Sequence, residues 1–190
     1  AVARDAAFSF IYRDNLQILQ QMGAQLRFFS PVSDQVMPEA DALYLPGGYP
    51  ELYLDQLADN QPMLQSIRAH VQADKPTVAE CGGMLYLLNG LTNKEGHRRD
   101  LLGVLPGEAL MEPRLSGLGV LSAAFPFGEV RGHTFHFSSS QIRAESLLEA
   151  QHPVHGKPEA VYQQGRLLAS YVHWYLGDEP EACLAWFKPE

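Results

Sequence analysis

The sequence has little cysteine, few basic residues and no long apolar run. Its 190 residues include two cysteines, Cys81 and Cys183, too few for a disulfide-stabilised secreted scaffold. Lys and Arg number 14 against 22 Asp and Glu, and no basic block offsets the formal charge of −8. Nucleic acid and anionic membrane surfaces are therefore poor candidate partners. Apolar runs such as 85–88 fall far short of the roughly 20 residues that span a bilayer, so we expect a soluble protein.

The start of the chain lacks both a methionine and a recognisable signal peptide. The chain opens at Ala1-Val2-Ala3, directly in a predicted strand. Together with the scarcity of cysteine, this start predicts a cytoplasmic location and a chain that is part of a longer polypeptide. Hydrophobic residues make up 46% of the sequence, enough for one well-filled core, so we expect residues 1–190 to form a single domain.

Short apolar runs alternate with amphipathic stretches in the first half, a pattern typical of βαβ units around a parallel sheet. The pattern predicts strands at 26–29, 43–45, 77–80 and 167–172, and helices at 15–22, 62–71 (behind an Asn60 cap), 84–89 and after Asp178. From residue 101 onward, frequent glycines separate short extended runs, which predicts antiparallel strands. The expected fold is therefore an α/β protein, with a mostly parallel sheet flanked by helices and additional antiparallel strands in the second half.

Cys81 stands between the predicted strand 77–80 and a Gly82-Gly83 turn that leads into a helix. Such a turn holds a thiol outside the sheet, and the N–H groups of the helix start favour developing negative charge. Glycine at 82 and 83 also leaves room for an approaching carbonyl group. Cys81 is a candidate nucleophile, with a buried structural thiol as the alternative.

A cysteine nucleophile needs a base, and His173 is the best placed of the seven histidines. It directly follows the predicted strand 167–172, and the carboxyl ends of parallel strands meet at one edge of a sheet. His173 can therefore meet Cys81, although a histidine beside Trp174 is also compatible with simple interior packing.

A glycine pair offers backbone donors at the end of a third strand. Gly47 and Gly48 follow Pro46 there and can expose their N–H groups. With the amide of Gly82, they would form an oxyanion hole for a carbonyl carbon attacked by Cys81. Ordinary turn chemistry also explains the Pro-Gly-Gly sequence.

Two histidine pairs have a spacing that invites a metal interpretation. His133 and His136 lie in a predicted strand, where residues three apart point to opposite faces, and no acidic or cysteine cluster lies nearby in sequence. We therefore expect no metal site, and expect the alternating residues Phe135 and Phe137 to pack into the core. His152 and His155 repeat the spacing in a predicted exposed loop.

Four separated motifs follow one another along the chain: LPGGYPEL (45–52), AECGGMLYL (79–87), RGHTFHFS (131–138) and SYVH (170–173). Together they resemble the glutamine amidotransferase domain of cobyrinic acid a,c-diamide synthases, a class I, triad-type group that also includes cobyric acid synthases. For the third motif, the resemblance implies that His136 faces a domain interface or the ammonia route. The opening residues 2–16 fit the same group, so the similarity runs almost from end to end.

The resemblance implies a flavodoxin-like glutaminase in which Cys81 attacks the side-chain amide of glutamine and His173 is the base. Gly48 and Gly82 would hold the oxyanion, and the domain itself would need no cofactor. In this group an N-terminal synthetase domain uses ATP and magnesium to activate carboxylates of a corrinoid, the acceptor of the ammonia. This chain contains no G-x-x-x-x-G-K-[S/T] loop, so we expect that domain to be absent from it.

The sequence departs from the general pattern of triad amidotransferases at two positions. Ala79 replaces the first glycine of G-x-C-x-G, a change that a slightly relaxed turn accepts. Tyr175 stands where a glutamate usually follows the histidine by two residues. The residue that orients His173 must then come from elsewhere. Asp14 is the first candidate and Glu80 the second, although Asp14 also suits simple charge compensation at a helix start.

Other functions remain open at this point. The acceptor in a related amidotransferase could be nickel-sirohydrochlorin or a cell-wall lipid precursor, since acceptor choice resides in the synthetase half. A cysteine peptidase or related hydrolase of the same architecture would also carry an elbow cysteine and a histidine. An inactive regulatory domain fits less well, because it would have no need of both residues.

Overall fold

The fold is described for residues 1–154 and 156–189 in a computed structural model. His155, one member of the second histidine pair, lies outside the described residues. The helices are α1 (Arg13–Gln21), α2 (Leu54–Asp59), α3 (Gln61–Gln72), α4 (Gly82–Leu87) and α5 (Pro180–Cys183). The strands are β1 (Val2–Ala3), β2 (Phe28–Phe29), β3 (Leu43–Leu45), β4 (Thr77–Glu80), β5 (Gly90–Thr92), β6 (Arg98–Asp100), β7 (Gly107–Met111), β8 (Gly117–Phe125), β9 (Gly128–His136), β10 (Ser138–Ile142), β11 (Ser146–Ala150), β12 (Glu159–Gln164), β13 (Leu167–Ser170) and β14 (His173–Trp174).

A seven-stranded sheet forms the centre, in the order β11-β12-β13-β4-β3-β1-β2. The five strands from β13 to β2 pair in parallel, while β11 and β12 extend the sheet in antiparallel fashion. Strands β8 and β9 form a long antiparallel hairpin that is joined by β14. The expected α/β fold with a mostly parallel sheet and added antiparallel strands is confirmed.

Apolar residues on both faces bury the central strands. All residues of β3, β4 and β13 are buried, as expected for parallel strands covered on two sides. Met63, Leu64 and Ile67 lie on the buried face of helix α3. The Asn60 side chain caps the start of this helix by accepting a hydrogen bond from Met63 N at 3.4 Å. No helix in the described ranges combines the length and the apolar content that a membrane crossing requires.

The course of the chain near residue 170 differs from the prediction. The expected strand 167–172 ends at Ser170, and the chain then leaves the central sheet to pair with β9 as β14. This departure carries His173 beyond the carboxyl edge of the sheet, the edge at which β3 and β4 also end. Helix α5 is a single turn, and it buries Cys183 completely.

Candidate active site

Cys81 occupies a sharp turn between β4 and α4. Its backbone lies in the left-handed region, with φ +45° and ψ −107°, which is uncommon for a residue with a Cβ. The turn is held because Cys81 N donates to the Ser170 carbonyl oxygen at 2.8 Å and Leu85 N donates to the Cys81 carbonyl oxygen at 2.9 Å. A strained strand-to-helix turn of this kind is typical of a nucleophile at the end of a sheet, although the Cys81 side chain itself is buried here.

The glycines around Cys81 allow three segments to approach one another. A Cβ on Gly82 would lie 2.9 Å from Gly48 N, and a Cβ on Gly47 would overlap the ring of His173. A Cβ on Gly83 would collide with the Leu45 carbonyl oxygen. The structure therefore brings together the predicted residues of three strand ends, since Gly47 and Gly48 lie between the Cys81 turn and His173.

The loop after β1 supports this glycine pair from behind, a role that the sequence analysis missed. The Asp5 carboxylate accepts hydrogen bonds from Ala7 N at 2.8 Å and Phe8 N at 3.0 Å, which folds the loop back on itself. Tyr49 N then donates to the Ala7 carbonyl oxygen at 2.8 Å. The loop thereby fixes the orientation of the peptide groups at 47–49.

His173 is buried, and an aromatic ring covers it. The ring centroids of His173 and Phe10 lie 4.2 Å apart, and Phe10 N donates to the Gly47 carbonyl oxygen at 3.0 Å. His173 Nδ1 lies 3.8 Å from Glu80 Oε2. The imidazole therefore lies between an aromatic ring and a carboxyl group, although its buried Nδ1 makes no hydrogen bond within the described residues.

Glu80, the second of the two candidates for orienting His173, is the carboxyl group that the structure places beside it. The Glu80 side chain is 2% exposed, and its Oε1 accepts a hydrogen bond from Trp174 N at 3.1 Å. Asn15 holds the same segment: its Nδ2 donates to the Trp174 carbonyl oxygen at 2.7 Å, and its Oδ1 accepts from Leu176 N at 3.0 Å.

The structure does not bring Asp14, the first candidate, to the site. Asp14 is exposed in the first turn of α1, where its charge compensates the helix dipole, and the inward position belongs to its neighbour Asn15. Tyr175, at the position where a glutamate is usual, is 38% exposed, and its ring meets Tyr12 at 6.2 Å.

Burial keeps the three central side chains uncharged near neutral pH. It raises the pKa of Cys81 to about 12, and the charges of Glu51, Glu80 and Glu159 act in the same direction. Burial lowers the pKa of His173 to about 3. It also raises the pKa of Glu80 to about 8, against the opposing effects of the Tyr44 hydroxyl and the Trp174 N–H. The resting site therefore holds a thiol, a neutral imidazole and a largely protonated carboxyl group.

The wall opposite Cys81 comes from β9 and corrects one prediction. The Cys81 thiol donates to the Phe135 carbonyl oxygen at 3.9 Å. Phe135 is 39% exposed rather than packed in the core, whereas His136 is buried and Phe137 is partly buried against the core. Successive residues of β9 point to opposite faces of the hairpin. His136 points inward, where its ring contacts the carboxyl group of Glu159. Phe135 points outward and lies next to its cross-strand neighbour Leu118.

The first histidine pair, His133 and His136, shows no arrangement for a metal ion. His133 is half-buried on the face of β9 opposite to that of His136. Within residues 1–154 and 156–189, no cluster of three or more His, Cys, Asp and Glu side chains could hold a metal. The ring of His152 is only partly exposed, because it lies against Gly119.

Comparison with known protein families matches residues 1–180 to the model of the CobB/CobQ-like glutamine amidotransferase domain. The chain belongs to this family. This amidotransferase domain is 52% identical over 189 residues to the hydrogenobyrinate a,c-diamide synthase of Stutzerimonas stutzeri (strain A1501), covering 99% of the chain and 44% of the relative. It is 44% identical over 194 residues to the cobyrinate a,c-diamide synthase of Herminiimonas arsenicoxydans, covering 100% of the chain and 44% of that relative.

The domain spans less than half the length of these curated relatives. Among solved structures, it resembles a glutamine amidotransferase with a TM-score of 0.66 at 18% identity, covering 98% of this chain and 97% of the other. A glutamine amidotransferase from Thermotoga maritima gives a TM-score of 0.60 at 13% identity, with 90% and 74% of the two chains covered. At these identities the likeness concerns the fold alone.

Proposed function

We propose that this domain hydrolyses glutamine and that Cys81 is its nucleophile. The observation that carries the proposal is the left-handed Cys81 turn, which lies next to Gly48 and Gly82 at the sheet edge where His173 and Glu80 meet. In the first step the Cys81 sulfur bonds to the side-chain amide carbon of glutamine. The C–N bond then breaks, and ammonia leaves a γ-glutamyl thioester on Cys81.

His173 moves the protons in this scheme. Its neutral imidazole takes the thiol proton of Cys81 and passes that proton to the departing amine. A water molecule, deprotonated by the same imidazole, then attacks the thioester and releases glutamate, which restores the thiol. The thiol points at the Phe135 carbonyl oxygen in the resting state, so the transfer requires the Cys81 side chain to turn toward His173.

Backbone amides and one carboxyl group complete the proposed machinery. The N–H groups of Gly48 and Gly82 suit the oxyanion that develops on the amide carbonyl, and Gly47 lets His173 come close. Glu80 is the proposed orienting residue, because its carboxyl group faces Nδ1 and, once ionised, can stabilise the imidazolium that forms during proton transfer. This assignment leaves Asp14 without a catalytic role.

We further propose that the released ammonia is consumed by a synthetase domain that uses ATP and magnesium. The relatives are more than twice as long as this chain, and no described residue of this chain is part of a P-loop motif. The names of the relatives favour the a and c carboxylates of a cobyrinate-type corrinoid as acceptors, over nickel-sirohydrochlorin or a lipid precursor. The proposed setting is cobalamin biosynthesis in the cytoplasm.

The proposal is tested in a full-length diamide synthase that carries this domain. Cys81→Ser is expected to abolish glutamine-dependent amidation of hydrogenobyrinate while ammonium salts still support it. Cys183→Ala, a matched change at the other buried cysteine, is expected to keep both activities. Equal loss of the two activities in Cys81→Ser would contradict the division of labour, and full glutamine-dependent activity would contradict the nucleophile.

A further inference from the structure

A second histidine–carboxylate pair lies behind the wall of the site, and the proposed chemistry does not use it. His136 Nε2 lies 2.8 Å from Glu159 Oε1, and His136 Nδ1 lies 2.9 Å from the Ser138 carbonyl oxygen. The two side chains are 8% and 12% exposed. The hydroxyl of Thr134 also donates to Glu159 Oε1, at 3.1 Å. Every polar atom of the imidazole is therefore engaged inside the protein.

The partners of His136 fix the orientation of its ring. A carbonyl oxygen can only accept, so His136 Nδ1 donates to the Ser138 carbonyl oxygen, and Nε2 shares a hydrogen bond with the Glu159 carboxyl group. The pair has a narrow geometry, because both ring nitrogens are directed at fixed partners.

The pair is linked mechanically to both Cys81 and His173. Phe135 and His136 share one peptide group, and the oxygen of this group accepts from the Cys81 thiol at 3.9 Å. On its other side the His136 ring stacks on Tyr171, with centroids 3.7 Å apart and planes at 10°. Tyr171 lies two residues before His173, so His136 is linked to the base through its ring and to the proposed nucleophile through the peptide group that it shares with Phe135.

Strand β8 approaches the His136–Glu159 pair closely, at a glycine. A Cβ on Gly117 would overlap His136 Nε2 and would come within 2.7 Å of Glu159 Oε1. Gly117 has no positive φ that would demand glycine. Its lack of a side chain therefore serves the approach of β8 to the His136–Glu159 pair.

We propose that His136, held by Glu159, is a positioning residue of the glutaminase site. It fixes the peptide group against which the Cys81 thiol rests before the reaction, and its ring supports the Tyr171 segment that carries His173. This inference rests on the proposed glutaminase function. A shift of the Tyr171 segment would displace His173 relative to Cys81 and would slow the proton transfer between them.

A change at His136 is expected to alter the pKa of His173, an effect that a purely structural role of His136 would not produce. The titratable groups facing His173 are Glu80 at the end of β4 and His133 and His136 on β9, with Cys81 next to Glu80. Burial is the main cause of the low pKa of His173, and the positive charges of His133 and His136 lower it further. Removing the charge at 136 raises that pKa, so the acid limb of kcat/KM moves to higher pH.

The test compares wild type with His136→Gln, Glu159→Gln and Gly117→Ala in glutamate-release assays on a full-length diamide synthase that carries this domain. The expected result for His136→Gln is a kcat reduced about tenfold to a hundredfold with a nearly unchanged KM, and an acid limb displaced upward. His97→Gln is the matched control, because it removes an exposed histidine–carboxylate pair with Asp55 and should leave kcat and the pH profile unchanged.

Gly117→Ala keeps both members of the pair and only displaces them, so it provides the same comparison if His136→Gln fails to fold. Its kcat is expected to fall without loss of the native circular dichroism spectrum. Folded variants with wild-type kcat and acid limb would overturn the positioning role and leave the proposed glutaminase function intact. A wild-type chain without glutaminase activity, in contrast, would count against the proposed function itself.

Discussion

Glu80 Oε2 lies 3.8 Å from His173 Nδ1, and Oε1 of the same carboxyl group accepts a hydrogen bond from Trp174 N at 3.1 Å. Glu80 precedes Cys81, and His173 precedes Trp174. One carboxyl group thus connects the segment of the proposed nucleophile to that of the proposed base. A carboxyl group two residues after the histidine is not needed for this connection, which accounts for the outward-facing Tyr175.

The first prediction concerns the residue that orients His173. Glu80→Gln is expected to lower kcat for glutamine hydrolysis by about a hundredfold or more, because an amide can stabilise the wrong imidazole tautomer. Asp14→Asn, an equivalent change at an exposed position, is expected to leave kcat within about twofold. The measurement is steady-state glutamate release by both variants, and the opposite ranking would return the orienting role to Asp14.

The second prediction concerns the pH dependence of stability. Burial raises the pKa of Glu80 from 4.5 to about 8, so the folded state binds the extra proton between these values and loses stability as pH rises through that window. One such proton corresponds to about 1.4 kcal/mol per pH unit at most. Glu80→Gln removes this dependence.

Urea unfolding at several pH values between 4.5 and 8 provides the measurement. The free energy of unfolding of Glu80→Gln, relative to wild type, is expected to increase steadily across the window. His173 titrates in both proteins, with a lowered pKa that favours stability as pH rises toward 6.5, and its contribution largely cancels in the difference. A constant difference would show that Glu80 is ionised in the folded protein.

The third prediction tests the close approach of His173 to the glycine pair. Gly47→Ala places a methyl group in the position of the imidazole ring, so either the ring or the loop must move. We expect a loss of about 1–3 kcal/mol in stability and at least a tenfold fall in kcat as the base is displaced. Gly96→Ala strains a turn that has open space around its Cβ, and it should leave kcat unchanged.

The fourth prediction concerns Asn15, which clamps the segment after His173 through two buried hydrogen bonds. Asn15→Ala leaves the Trp174 carbonyl oxygen and the Leu176 N–H without these partners, at an expected cost of about 2–4 kcal/mol. Asp14→Ala, one residue away, should cost less than about 1 kcal/mol. The measurement is the denaturant midpoint of each variant, which reports the loss of stability directly when the m-values are equal.

The sequence predicted best where chain geometry is local. Strands β3 and β4 were placed correctly because each apolar run stops at a glycine pair that forces a turn. Cys81, Gly48 and His173 could be identified as strand-end residues, and parallel topology brings such ends to one edge. The strand predicted at 167–172 is split in two because pairing with β9, a long-range contact, removes the last residues from the central sheet.

The sequence alone does not show whether Glu80 or Asp14 lies beside His173, and the reason is physical. Which carboxyl group meets His173 depends on β13 lying beside β4, and spacing along the chain does not specify that neighbour. The inward turn of His136 was missed for the same kind of reason. Strand alternation separates His136 from Phe135, but only the positions of Glu159 and Tyr171 decide which of the two faces inward.

Covalent labelling by a glutamine-mimicking diazo ketone tests the central claim, that Cys81 is the nucleophile of a glutaminase, most directly. Intact-mass and peptide mass spectrometry after incubation should show a single adduct on Cys81 in the wild-type chain. Glutamine should slow the labelling, and Cys81→Ser should remain unmodified, although Cys183 is still present. An unmodified Cys81 in a protein that binds the reagent, or an adduct on Cys183 alone, would contradict the account.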